Sequence, residues 1–161
     1  MPASSPTPTM PPIPDKLATP PTPVDANCVF CRIVAGGIPC HRLAATEHTL
    51  AFLDIMPLSR GHCLVIPKGH WQTLDQLPAE VARACGEELA RVSAALRAAT
   101  GIAGWNVLQN NGELAGQAVM HVHFHLIPRG VGDGLGYRWP AGKLTDADAA
   151  QLRQAIGAHL A

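Results

Sequence analysis

The chain has 161 residues, 12 basic and 12 acidic side chains, and 47% apolar residues. That is room for one domain, and a net charge of zero argues against a broadly basic nucleic-acid binder or a polybasic membrane binder. No apolar run approaches the ~20 residues a membrane-spanning helix needs.

Residues 1–25 hold nine of the fifteen prolines and six Ser or Thr. Such a segment buries too little apolar surface to offset its ordering entropy, so a disordered tail is expected there, followed by a single domain over residues 26–161. The tail lacks the basic start and apolar stretch of a secretory signal. Five cysteines, an odd number, without such a signal disfavour a disulfide framework and point to the cytoplasm. Cys40, Cys63 and Cys85 sit among apolar neighbours and read as small buried hydrophobes.

From Cys28 to Ala35 the apolar positions fit a short helix, ended by Gly36-Gly37 and Pro39. Leu50 to Asp54 and His62 to Ile66 read as strands, with Arg60-Gly61 turning the chain into the second. Pro78 to Thr100 carries the longest helical pattern: Val81, Cys85, Leu89, Val92 and Leu96 recur at helical spacing, and Gly101 suits the C-terminal cap. Trp105 to Leu108 is a further strand, broken by Asn110-Asn111-Gly112. Val119 to Ile127 has the most regular strand pattern in the chain. Thr145 to Leu160 predicts a terminal helix, with Thr145 as N-cap and Asp148 completing a capping box. Strands grouped around one long helix predict an α+β domain with a mostly antiparallel sheet. No strand leads into a Gly-rich turn that opens a helix, which excludes P-loop and dinucleotide-binding readings.

The chemistry concentrates in His121-Val-His123-Phe-His125-Leu-Ile-Pro128. Side chains alternate along a strand, so the three histidines share one face and Val122, Phe124 and Leu126 take the other. A neutral imidazole is a competent nucleophile at pH 7, and attack on phosphorus gives a phosphoramidate that water can cleave. The loop from Asn110 to Val119 lies just before, and backbone N–H groups beside Gly116, with Asn110 and Gln117, suit phosphate oxygens. Cys28-Val-Phe-Cys31 has the gap that lets two thiolates reach one metal ion, a spacing shared with redox pairs. His70 and one triad histidine could complete a zinc tetrahedron; spacing alone equally permits His41, His48 and His62.

His121-Val-His-Phe-His-Leu-Ile resembles the HxHxHxx signature of the histidine triad (HIT) family of nucleotide hydrolases and transferases. The resemblance runs from about Cys28 to Pro140. It includes Cys-Val-Phe-Cys-Arg-Ile at 28–33, Leu-Ala-Phe-Leu-Asp-Ile at 50–55 and Gly-His-Cys-Leu-Val-Ile-Pro-Lys-Gly-His at 61–70. Gln-Asn-Asn-Gly at 109–112 and Ala-Gly-Gln at 115–117 extend it. Within the family the chain is most similar to the zinc-containing histidine triad nucleotide-binding (Hint) branch.

The resemblance implies a HIT fold of about five mostly antiparallel strands with one long helix, here followed by a C-terminal helix. It implies that His123 attacks the α-phosphorus of a nucleoside phosphoramidate or related ester, and that His125 contacts the phosphate and assists departure of the leaving group. It places His62 behind the triad as a positioning residue, and His121, Cys28, Cys31 and His70 on a structural zinc. Asp54 would bond the ribose hydroxyls, and Phe30, Ile33, Phe52, Ile55 and Leu64 would line a pocket for a purine base. Asn110, Gly116, Gln117 and Val119 would hold the phosphate, with the backbone N–H of Ala118 where close relatives carry serine. Arg138-Trp139-Pro140 resembles a segment that, in the dimeric branch, reaches the partner's site, so a homodimer is expected.

Two other readings compete. A dinucleoside-polyphosphate hydrolase shares the triad, and a nucleotide-binding regulatory module with little turnover fits Ala118. A uridylyltransferase-like reading is disfavoured, because that branch carries glutamine where this chain has His125.

Overall fold

The computed structural model describes residues 23–136 and 141–160. A short helix α1 (Val29–Val34) leads into β1 (His41–Ala45), β2 (Thr49–Leu53) and β3 (Cys63–Pro67). The long helix α2 (Ala79–Thr100), β4 (Gly104–Gln109), β5 (Phe124–Arg129) and α3 (Asp146–Gly157) follow. The strands form one antiparallel sheet in the order β1-β2-β3-β5-β4. This is the α+β architecture expected.

The alternation of side chains gives the sheet two apolar faces. On one, Leu50, Phe52, Leu64 and Ile66 pack against Phe30, Cys31 and Val34 of α1. On the other, Ala51, Cys63, Val65 and Leu126 pack against Val92 and Leu96 of α2. Gly101 ends α2 at φ +69°, a left-handed cap whose N–H donates to the Arg97 carbonyl. Cross-strand pairing sets Phe52 opposite Leu64, Leu64 opposite His125, and His125 opposite Leu108. Paired residues share a face, so this row lies on the α1 side of the sheet.

Several expectations need correction. The strand expected from Val119 begins only at Phe124. Ahead of it the backbone leaves the ladder: the Val122 N–H donates to the Trp71 carbonyl, and the His121 N–H to Val119. The alternation of faces nevertheless survives, because Phe124 and Leu126 pack on the α2 side while His123 and His125 line a pocket on the other. β1 was not expected; it is an edge strand without a buried residue, so it carries little apolar signal. Residues 1–22 of the expected tail lie outside the described residues. Pro23 to Asp25 are bound to the domain, since the His70 N–H donates to the Pro23 carbonyl and the Cys28 N–H to Asp25. Cys40 is half-buried rather than core, whereas Cys63 and Cys85 are buried as read.

The N-cap of α3 is as expected at Thr145, whose hydroxyl oxygen accepts from the Asp148 N–H. The Asp148 carboxylate in turn accepts from the Thr145 hydroxyl. No residue of α3 is buried. Arg138-Trp139-Pro140 lies outside the described residues. Among the described residues, no helix is long and apolar enough to cross a membrane.

Candidate active site

A pocket of about 360 Å³ opens between α1 and the sheet. Of the residues expected to bind a base and ribose, Phe30, Ile33, Phe52, Asp54, Ile55 and Leu64 all line it. Ala118, Val119, His123 and His125 line it too. Phe30 is the hinge of the arrangement: its ring meets those of Phe52, His121 and His123 edge to face at 5.3–5.9 Å. Val29, Ile38, Pro39, Cys40 and Met56 also contribute walls. Those five were not read from the sequence. Ile38-Pro39, following two glycines, signals only a helix end, yet it delivers the chain across the pocket.

The tautomers of the histidines follow from their partners, because a backbone carbonyl only accepts and a backbone N–H only donates. His123 Nδ1 lies 2.7 Å from the His121 carbonyl, so Nδ1 carries the proton and Nε2 keeps its lone pair. The Leu58 N–H donates to His62 Nδ1 at 3.1 Å, which leaves the His62 proton on Nε2. That N–H then donates to His125 Nδ1 at 2.9 Å, and the His125 proton must sit on Nε2. The pair therefore presents a neutral His125 with a fixed N–H donor in the pocket. Burial pushes His125 down to about 4, helped by the adjacent His123 and His62 rings and opposed by Asp54. Burial also lowers His62, with the Asp54 carboxylate opposing. Asp54 itself is held by the Met56 N–H at 2.8 Å and lies 3.7 Å from His62 Nε2.

The loop before the triad is tied together by its own side chains. Gln117 is buried, and its side chain is spent inside the loop, accepting from the Gly112 N–H and donating to the carbonyls of Gln72 and Val119. Asn110 donates to the Gly116 carbonyl at 3.3 Å. Gly116 adopts φ +83°, where a Cβ would be strained. The loop contributes Ala118 and Val119 to the pocket lining, and the side chains of Asn110 and Gln117 shape the loop.

Behind the pocket, Cys28, Cys31, His70 and His121 converge, with their ligand atoms all within 4.8 Å of one another. The ring N–H of His121 is taken by the Pro67 carbonyl at 2.9 Å, so its Nδ1 lone pair faces the sulfurs. His121 Nδ1 lies 3.5 Å from Cys28 Sγ and 3.6 Å from Cys31 Sγ, and His70 Nδ1 lies 3.4 Å from Cys31 Sγ. A zinc tetrahedron with ordinary Zn–S and Zn–N bonds has N···S edges of about 3.5 Å, so this donor set fits zinc. His70 Nε2 faces the Asp25 carboxylate at 3.9 Å, the arrangement that orients a ligating imidazole. Of the histidines that spacing left open, His41 is exposed, His48 half-buried, and His62 belongs to the His125 pair. Burial pushes the Cys31 thiol up to about 11 and His121 down to about 4, so without a cation both stay neutral.

Comparison with known proteins agrees with this geometry. Residues 35–131 match the HIT domain. The adenosine 5′-monophosphoramidase hnt1 of Schizosaccharomyces pombe is 44% identical over 135 residues, covering 83% of this chain and 98% of that protein. The crystal structure of a HIT family member from Bacillus subtilis superposes with a TM-score of 0.79 at 40% identity, covering 84% of this chain and 98% of that one. A zinc-bound histidine triad family protein from Mycobacterium smegmatis gives a TM-score of 0.64 at 38% identity, with 80% and 97% covered. With its antiparallel sheet, its triad segment and these relatives, the chain belongs to the HIT domain family.

Proposed function

We propose that this protein hydrolyses nucleoside phosphoramidates, with adenosine 5′-phosphoramidate as the favoured test substrate, through a covalent nucleotidyl adduct on His123. The observation that carries the reading is the fixed tautomer of His123: an unprotonated Nε2 in an apolar, nucleotide-sized pocket. Phe30, Ile33, Phe52 and Leu64 offer a base the apolar walls it needs, and Asp54 offers the ribose hydroxyls an acceptor. The name of the fission-yeast relative supports the substrate class.

The His123 Nε2 lone pair forms a bond to phosphorus, and the electron pair of the scissile P–N bond departs on the amine nitrogen. The Nδ1–H of His123, held on the His121 carbonyl, shares the positive charge that the ring acquires. His125 donates from Nε2 to the phosphoryl oxygens without needing to lose its proton, a preorganised electrostatic contribution. The departing amine takes one proton from water at the pocket mouth. Attack of a second water on the adduct returns one, leaving AMP and a free His123.

The Cys28–Cys31–His70–His121 set would hold a structural zinc. The ion would supply the charge that stabilises two thiolates and a cross-link behind the nucleophile's segment; the HIT relative bound to zinc supports this. Homodimerisation is part of the same proposal. It is supported by the open edge of β4, a strand with no buried residue whose Val107 is 51% exposed. Five free cysteines support a reducing compartment such as the cytoplasm.

The test is hydrolysis of adenosine 5′-phosphoramidate by wild type and His123→Ala, each with an AMP-binding titration. Turnover that collapses in the variant while AMP still binds is the expected result. AMP binding without wild-type turnover would sink the hydrolase reading and favour a binding module. Faster turnover of diadenosine polyphosphates would favour the dinucleotide hydrolase.

A further inference from the structure

Beside the nucleotide pocket lies a second groove of about 340 Å³, whose lining includes Cys28 and His70 of the metal cluster. The two spaces share Val29, Ala118 and Val119. No residue of β2 or β3 reaches the groove. It therefore continues the pocket only past the tip of the phosphate loop and the start of α1. Ala118 forms the threshold, and a methyl group there neither blocks the passage nor adds a hydroxyl to it.

The far walls are Asp25, Asn27 and Met120. Among the described residues, Asp25 is the groove's only carboxylate and no Lys or Arg lines it. The Asp25 side chain is 44% exposed and fixed in place, because one oxygen accepts the Asn27 N–H at 2.8 Å and the other faces His70 at 3.9 Å. A fixed carboxylate in a groove that also presents the apolar side chains of Val29, Ala118, Val119 and Met120 matches an aliphatic chain with a cationic end.

We propose that this groove is a leaving-group subsite, and that it selects phosphoramidates whose departing amine carries a second, positively charged group on an aliphatic chain. The proposal rests on the hydrolase reading above and deepens it. The nucleoside occupies the α1 pocket, the phosphorus sits at His123, and the substituent on nitrogen runs over Ala118 toward Asp25. The chemistry is unchanged: the P–N bond breaks to the amine, which takes a proton from water, and the distal ammonium takes no part.

Three adenosine phosphoramidates test this, made from 1,4-diaminobutane, butylamine and 4-aminobutyrate and compared by kcat/KM, with the unsubstituted phosphoramidate as reference. An attraction at a part-exposed carboxylate predicts about a two- to fivefold preference for the ammonium over the neutral chain, and the reverse for the carboxylate. Differences in intrinsic amine reactivity cancel when the ratio is compared between enzymes. Asn27→Lys, at an exposed wall position next to Cys28 but not itself a ligand of the cluster, should bring the ammonium-to-butyl ratio down several-fold while the unsubstituted substrate is hydrolysed as before. Met120→Lys on the opposite wall should act in the same direction and covers a misfolding Asn27 variant. Hydrolysis by wild type with a ratio that neither lysine changes overturns the subsite alone. Failure to hydrolyse any phosphoramidate overturns the hydrolase reading and the subsite with it.

Discussion

His62→Phe separates the geometry of the triad from its packing. His62 is 2% exposed, and the somewhat larger phenylalanine leaves no cavity, so the packing cost is one of modest overfilling. Two hydrogen bonds disappear: the one from the Leu58 N–H to Nδ1, and the one from Nε2–H to His125. The Leu58 N–H loses its acceptor at the surface end of the ring, in a part-buried position. His125 Nδ1 is deeper and stays unpaired, so the fold should lose about 1–3 kcal/mol. For a chain of this size that lowers Tm by about 3–10 °C. The larger effect is on chemistry. Without the His62 donor, nothing holds the His125 proton on Nε2, and the donor aimed at the phosphoryl group is lost for part of the population. Removing one such preorganised donor costs about 10²-fold in rate. Steady-state hydrolysis of adenosine 5′-phosphoramidate, AMP titration and ¹⁵N spectra of the imidazoles measure the three parts. The expected result is a fall in kcat much larger than the loss of AMP affinity, with His125 no longer in a single tautomer. A folded variant that turns over like wild type would refute the reasoning.

Other consequences are as direct. His125 stays neutral down to about 4 in the fold. Unfolded imidazole protonates near ~6.5, so the unfolded chain binds more protons in between, and stability falls as pH drops from about 6.5 to about 4, by up to ~3 kcal/mol. Denaturant melts at pH 7.5 and pH 5 read this, and equal midpoints would contradict it. Metal analysis should find one zinc per chain, and Cys31→Ser should lose it. If zinc binds only the folded chain, free zinc at 100 times its Kd adds about 3 kcal/mol, which chelation should remove. Leu126→Ala empties a fully buried position on the α2 face, opposite His125. It should cost about 2–5 kcal/mol in denaturant melts while the folded variant keeps its kcat.

The residues carry much of this organisation openly. The Val81-to-Leu96 stripe announces α2, and the alternation at 121–126 announces that the histidines share a side, with His123 and His125 in the pocket and His121 on the metal cluster behind it. The same alternation misleads about backbone pairing. His121 and His123 obtain their partners from the Pro67 carbonyl, the His121 carbonyl and the metal cluster, so a period of two persists there outside the strand. β1 is silent because an edge strand with no buried residue needs no apolar pattern. Gln117 was legible as a loop residue, but its choice among three backbone partners depends on how Gly112 and Gln72 are placed. The link from Asp25 to His70 is invisible for a related reason: it joins a proline-rich stretch to a turn 45 positions on.

The row that runs from Phe52 through Leu64 to His125 and Leu108 bears on how this gene can vary in length. A single-codon insertion inside β5, ahead of His125, would turn that histidine toward α2 and present an apolar residue to the phosphate, since one step along a strand reverses the face. Codons added between α2 and β4 would leave the row intact. Length changes compatible with function should therefore gather at the turn after Gly101 and beyond Gly130, and deep insertion scanning would map the interior of the row as a block with no tolerated change.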